Sequence, residues 1–280
     1  MVKILKAGFY STLQDLGRLG FRDKGVPISG VMDEVSATRA NLLLENEAGA
    51  TLMEMTMTGP TLQFESHTYI CISGADMLPS INGKAITNYR VIKVAKNDVL
   101  TFGKLQNGFR SYLAVKGGFG TEKVLGSQSQ YFPVTLAQCL KEGDEIPYKE
   151  TSNFAPAITE LKTEAHFEPG LLKVNKGPEY ELLDDGQLAS IFSKSFTISK
   201  QNNRMAYQLG ETIKGHDHSM LTSGTLPGTV QLTPSGRIII LMKDGQTTGG
   251  YPRIFQLSKE SICILAQKKS RDIVSFELLK

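Results

Sequence analysis

The feature that most limits the fold of this chain is its punctuation. Short apolar runs recur nearly from end to end, and Gly, Pro, Asn or Asp cuts each one off before it reaches ordinary helix length. Tyr69-Ile70-Cys71-Ile72 runs into Ser73-Gly74-Ala75-Asp76, Tyr89-Arg90-Val91-Ile92-Lys93-Val94 into Lys96-Asn97-Asp98, and Ser111-Tyr112-Leu113-Ala114-Val115 into Gly117-Gly118. Runs this short, rich in β-branched and aromatic residues, predict a mainly β chain. Ile81-Asn82-Gly83-Lys84 sets Asn-Gly between two candidate strands, the signature of a two-residue hairpin. Two helices are expected. One opens at Met32-Asp33, with Asp33 as N-cap, and runs through Leu44. The segment Lys259–Gln267, entered from Ser258, suits a second helix, although its apolar run also suits a strand.

Low apolar content and scattered prolines over 151–169 suggest a linker between an N-terminal β-rich half, 1–150, and a C-terminal one, 170–280. With 280 residues the length allows one large domain or two of moderate size, with ample core either way. The hydropathy pattern fits two β-barrel-like halves, and no sequence repeat relates them. A net charge of +3, without a Lys/Arg cluster interleaved with aromatics, argues against a nucleic-acid partner. The opening Met1–Lys6 has no signal-peptide core or cleavage site, and no run approaches spanning length, so a cytoplasmic chain without membrane association is expected. Cys71, Cys139 and Cys263 are odd in number and far apart, which fits reduced thiols rather than a disulfide framework or a zinc site. His216-Asp217-His218 reads as a solvated loop, and no metal site is expected.

Chemistry-bearing residues gather in a few segments. The apolar Ile238-Ile239-Ile240-Leu241-Met242 empties into Asp244-Gly245-Gln246-Thr247-Thr248-Gly249-Gly250-Tyr251-Pro252. That stretch is either an ordinary turn or a pocket floor where glycines admit a ligand and amide, hydroxyl and phenol groups bind it. Asp15 and Arg18 are close enough to pair, locking a loop or presenting a planar fork to an anion. Glu54, set among Met53, Met55 and Met57, is either on the outward face of a strand or a buried carboxylate. Asn203-Arg204 and Gln231 mark a third polar group. No histidine lies in these segments, which disfavours a Ser/His/Asp or Cys/His triad, and no P-loop pattern occurs.

Together these segments resemble the biotin-dependent carboxyltransferase family, also called the KipA or allophanate hydrolase subunit 2 family. The resemblance runs through Thr12–Arg18, Ser29–Asp33, Ala40–Leu43, Met53-Glu54, Gly59-Pro60, Ser73–Ala75, Val124–Ser127, Asn203–Met205, Pro227–Gln231 and Gln246–Pro252. It implies a cyclophilin-like fold of two β halves with a cleft between them. It also implies part of an enzyme, the C component of an ATP-dependent 5-oxoprolinase. That complex hydrolyses 5-oxoproline, a cyclic amide, to glutamate, and its other members are an A component and a KipI-like B component. ATP is then used by the complex, with no cofactor bound by this chain. Two other readings follow from the same family: a KipA-like protein that antagonises a KipI-like kinase inhibitor, and a carboxyltransferase served by a biotin carrier.

On this basis Arg18 and Arg204 are the expected anion-holding donors, with Asp15 and Glu54 orienting them or acting as acid/base groups. Gln14, Ser29, Asn203, Gln231, Gln246, Thr247, Thr248 and Tyr251 are expected to contact substrate. The sequence departs from the family where an Arg is usual at Gln128 and Gly245, and where an acid is usual at Ser223.

Overall fold

A computed structural model describes residues 1–162, 167 and 170–279. The chain forms two compact units, Met1–Arg18 with Ser29–Ala165 and Leu19–Ile28 with His166–Lys280. The short segment Leu19–Ile28 therefore packs with the C-terminal unit, although no shift in composition marks it. The expected linker over 151–169 lies partly outside the described residues. Within it, Thr159 and Leu161 bond to the backbone of Val91 and Tyr89, so that stretch is docked as an added strand.

The barrel-like character expected of both halves takes two forms. In the first unit a five-stranded sheet runs in the order Tyr10–Gln14, Leu52–Thr56, Asn107–Val115, Thr68–Asp76, Ile92–Val94. It faces a six-stranded sheet built on Val2–Lys6, Thr61–Phe64 and Val99–Thr101. Strand alternation sorts their side chains. Leu13, Met53, Met55, Ile70, Ile72, Leu113 and Val115 meet Val2, Ile4, Leu62, Phe64 and Leu100 in one apolar core. Burial of these side chains between the two sheets stabilises the unit. Ser73–Asp76, expected to break a strand, instead continues it through Asp76, with Ser73 opposite Tyr112 in register.

The opposite face of the five-stranded sheet carries Thr12, Gln14, Leu52, Glu54, Cys71, Ser73, Arg110, Tyr112 and Ala114, by the same alternation and register. Helix α1, Glu34–Leu43, covers its apolar part, joining Ala37, Ala40 and Leu43 to Leu52, Cys71 and Ala114. Asp33 caps α1 as expected, accepting from the Ser36 N–H at 3.1 Å. The Asn82-Gly83 hairpin also forms, both residues having positive φ, between Ser80–Ile81 and Lys84–Ala85.

The second unit is a seven-stranded closed barrel. Its strands follow the order Leu171–Lys176, Arg253–Leu257, Thr229–Leu232, Arg237–Leu241, Ala206–Thr212, Phe196–Asn202 and Ile273–Leu278. The last pairs in parallel with the first, leaving no edge. Helix α2, Asp185–Ser193, was not foreseen, although Asp184 and Gln187 form a reciprocal capping box that the D-x-x-Q spacing announces. For Lys259–Gln267 the helix prevails over the strand, as α3, Lys259–Ala266, capped by Ser258.

Candidate functional site

In the first unit the polar side chains meet on the α1 face of the five-stranded sheet. Glu54 lies among methionines in sequence but on the opposite face from Met53 and Met55, and it is buried. Of the two readings left open by the sequence, the buried carboxylate holds. Its Oε2 accepts the Met32 N–H at 2.7 Å, and its Oε1 lies 3.8 Å from Arg110 Nε. Both side chains are 2% exposed or less, so this is a buried pair of opposite charges. Beside them Tyr112 accepts the Asp33 N–H at 2.9 Å. Its phenol is held well above its usual range, first by burial and then by the charges of Glu54 and Asp33. Arg110 and Tyr112 escaped the sequence reading. The signal available was a charge in phase with Tyr112 along an otherwise apolar strand.

Asp15 and Arg18 do not form the expected pair; each turns to the loop 127–130. The Asp15 carboxylate accepts from Ser127 Oγ at 2.7 Å, Ser129 Oγ at 2.6 Å and the N–H groups of Gln128 and Gly17 at 2.7 Å each. Burial raises the pKa of this carboxyl, but these four donors outweigh burial and bring it below its ordinary value. A carboxylate so fully engaged is an anchor, not a proton carrier. Arg18, also buried, donates to the Ser129 carbonyl, and Gln14 Nε2 donates to the next carbonyl, Gln130, at 3.1 Å. Gln128 itself, where the family usually has Arg, bonds Thr51 and the Thr121 carbonyl.

Ser29 is fully buried at φ 57, a left-handed conformation that a non-glycine residue adopts at a cost. It stands next to Gly30, whose backbone presses on Leu16 and Gly17 so closely that a Cβ there would lie 2.7 Å from Gly17 N. Among the described residues, Ser29 Oγ and Gln14 Oε1 are buried without a hydrogen-bond partner. Buried oxygens of this kind are costly unless a ligand or water satisfies them.

In the second unit the strand Arg237–Leu241 does lead to a polar shelf. Gly249 is buried there, and a Cβ on it would lie 2.5 Å from Gln231 Nε2 and 3.1 Å from Gln246 Nε2. The absence of a side chain at Gly249 thus lets two amides close on one point. Thr225 Oγ1 donates to the Gln246 carbonyl at 2.6 Å, and Gln231 Nε2 reaches the Tyr251 carbonyl at 3.4 Å. Gln231 is buried and Thr247 half-buried, whereas Gln246, Thr248 and Tyr251 are exposed.

Beneath this shelf runs the returned segment Leu19–Ile28. Arg22 there donates to the carbonyls of both Thr225 and Thr247, tying the loop before the Gln231 strand to the loop that carries Gln246. Sequence reasoning missed Arg22 because nothing local connects it to residues two hundred positions away. Arg204 was expected to hold an anion, but its fork closes on Asp244 of the same unit, Nε to Oδ2 at 2.8 Å and Nη2 to Oδ1 at 3.1 Å. Asn203 is a turn residue, its Oδ1 accepting the N–H groups of Met205 and Ala206.

His216 and His218 stack at 5.6 Å, with His216 bonded to the Leu232 carbonyl. Among the described residues, no three His, Cys, Asp or Glu side chains are placed to hold a metal ion. No described helix is long and apolar enough to cross a membrane.

A sandwich and a closed barrel, each carrying a cluster of amide, hydroxyl and charged groups, define a two-unit β protein. The chain belongs to the carboxyltransferase domain family, subdomains A and B, which matches residues 24–278. It is 35% identical to the C subunit of 5-oxoprolinase from Escherichia coli over 95% of this chain and 87% of that one. Among solved structures it resembles TTHA0988, with a TM-score of 0.90 and 25% identity, covering 99% of this chain and 55% of that one. The urea carboxylase of Kluyveromyces lactis shares the fold, with a TM-score of 0.86 at 24% identity, over all of this chain and 27% of that one. The chain thus spans about half, or less, of the solved chains it matches.

Proposed function

We propose that this chain is the C subunit of an ATP-dependent 5-oxoprolinase and that it binds the cyclic amide substrate. The observation that carries the reading is the pair of side-chain amides, Gln231 on its barrel strand and Gln246 on the following loop, converging over Gly249, with Arg22 bonding the Thr247 carbonyl beside Gln246. Two amide nitrogens brought close together suit a planar carbonyl whose oxygen gains negative charge as water adds to the carbon and the ring C–N bond breaks. An unactivated lactam resists water, so coupling to ATP in the partner A and B components supplies the driving force. The relative in Escherichia coli, similar along nearly its whole length, supports the same assignment.

The test is reconstitution with the A and B components, measuring glutamate released from 5-oxoproline and ATP. Omission of this chain is expected to abolish release, and the double variant Gln231→Leu/Gln246→Leu to lower it by a hundredfold or more, about 3 kcal/mol of transition-state stabilisation.

A second reading, carboxyl transfer with a separate biotin carrier, is favoured by the description of the matching family as a carboxyltransferase domain. Biotin-dependent carboxylation of a small amide by the chain and a biotinylated carrier would select it over the first.

A further inference from the structure

The first unit carries a cavity of about 360 Å³ away from the polar clusters, lined by Ala85–Thr87 and Arg90–Lys93. Ala85 at one side and Ile92 and Lys93 at the other belong to the last strands of different sheets, and the segment joining those strands supplies the rest of the lining. Lys84–Ala85 ends the six-stranded sheet and Ile92–Val94 ends the five-stranded one.

The backbone of both walls is turned outward. In the two-residue hairpin, Ile81 and Lys84 form the hydrogen-bonded pair that flanks the turn, so the peptide groups of Ala85 point away from Ser80. Across the cavity, Tyr69 accepts the Lys116 N–H on its other side at 2.8 Å. The pair Tyr69–Lys93 is therefore the wide, non-bonded kind, and the N–H and C=O of Lys93 face out of the sheet. Two residues earlier the outward N–H of Val91 is already used: it donates to the Thr159 carbonyl at 2.8 Å, while Leu161 donates to the Tyr89 carbonyl at 2.9 Å. Between them Glu160 lies opposite Arg90, with carboxylate and guanidinium 4.0 Å apart. The chain's own segment thus shows what this edge accepts, an antiparallel strand with a carboxylate set against a cation. It stops short of Lys93. Arg90 and Lys93 are the charged residues of the lining, and both are exposed.

We propose that this groove takes an extended, acidic segment of a partner protein as an added strand, hydrogen-bonded to Lys93 on one wall and Ala85 on the other. A second copy of this chain is disfavoured as occupant, because edge-to-edge pairing over the stretch left open would bring Lys93 against the same cation. A strand offers the peptide groups the walls lack, and an acidic one a carboxylate for Lys93, as Glu160 already provides for Arg90.

The test uses the full chain and two terminally blocked hexapeptides, Thr-Glu-Val-Glu-Val-Thr and Thr-Lys-Val-Lys-Val-Thr, with amide hydrogen exchange read residue by residue. The acidic peptide is expected to slow exchange at Lys93 and Ala85 and to bind roughly tenfold tighter than the basic one. Lys93→Glu should invert that preference, and Lys93→Pro, which removes an outward N–H at an edge, should abolish binding with the circular dichroism unchanged. Protection at neither residue overturns the proposal. So does equal protection by glutarate alone, which marks a small-carboxylate site, or protection that follows concentration-dependent dimerisation, which marks a second copy. None of these readouts involves 5-oxoprolinase turnover.

Discussion

Replacing Asp15 isolates what holds the loop 127–130 in place. Its carboxylate gathers two hydroxyl and two peptide donors, each at 2.6 to 2.7 Å. In Asp15→Ala the hydroxyls of Ser127 and Ser129 rotate to other acceptors, whereas the N–H groups of Gln128 and Gly17 are fixed by the backbone. Two charge-assisted bonds at the lower end of their range, suited to a half-buried site, give a loss of about 3 kcal/mol. For a unit of this size that corresponds to roughly 6–12 °C in Tm. Asp15→Asn, which keeps one acceptor oxygen, should lose about half as much.

The pH dependence follows from the sign of the shift. The folded pKa of Asp15 lies below 3.8, so its contribution is full above that value and is lost as pH falls through the folded pKa. The gap in stability between wild type and Asp15→Asn should therefore narrow below about pH 4. Urea unfolding followed by circular dichroism at pH 7 and at pH 3 measures both quantities. A change under 0.5 kcal/mol for Asp15→Ala at pH 7, or a gap that widens in acid, would refute the assignment of Asp15 as an anchor.

Three further outcomes follow. Gly249→Ala places a methyl where the two amide ends now close; these are movable side chains, so stability should change by less than about 1 kcal/mol while glutamate release by the reconstituted complex falls at least tenfold. Asp244→Ala strands the buried Arg204 fork and should cost about 3 kcal/mol in urea unfolding, and an unchanged midpoint would show the pair to be dispensable. Burial pushes the Cys71 thiol up to about 12, so iodoacetamide at pH 8 should label the half-buried Cys139 and spare Cys71 until the chain unfolds, as peptide mass mapping can read.

Local rules made much of the fold legible. Asn82-Gly83 needs positive φ at both positions and so declares its hairpin, and Asp33 caps a helix because its oxygen reaches the Ser36 N–H. The ambiguity at Lys259–Gln267 was genuine, since an apolar run alone does not distinguish periods; the Ser258 cap decides it. What stayed hidden is long-range. Asp15 meets Ser127 and Ser129 across more than a hundred residues, and Arg22 meets Thr225 and Thr247 across two hundred. Spacing along the chain suggested Asp15 with Arg18, the nearer partner, because it carries no information on which loop folds back. Glu54 shows the same limit: alternation told which residues share its face, not that α1 and Arg110 would close over it. The strand-end segment Gln246–Tyr251 stands out in the sequence because its polar density is local, whereas the Arg22 bond to Thr247 is not.

The most direct test of the central claim is the rate of ATP-dependent glutamate release from 5-oxoproline by the A and B components with and without this chain, and with Gln231→Leu/Gln246→Leu in its place. Release that requires the chain and falls a hundredfold or more in the folded double variant, a loss of about 3 kcal/mol, is the predicted result. Full release without the chain, or an undiminished rate with both amides removed, would contradict it.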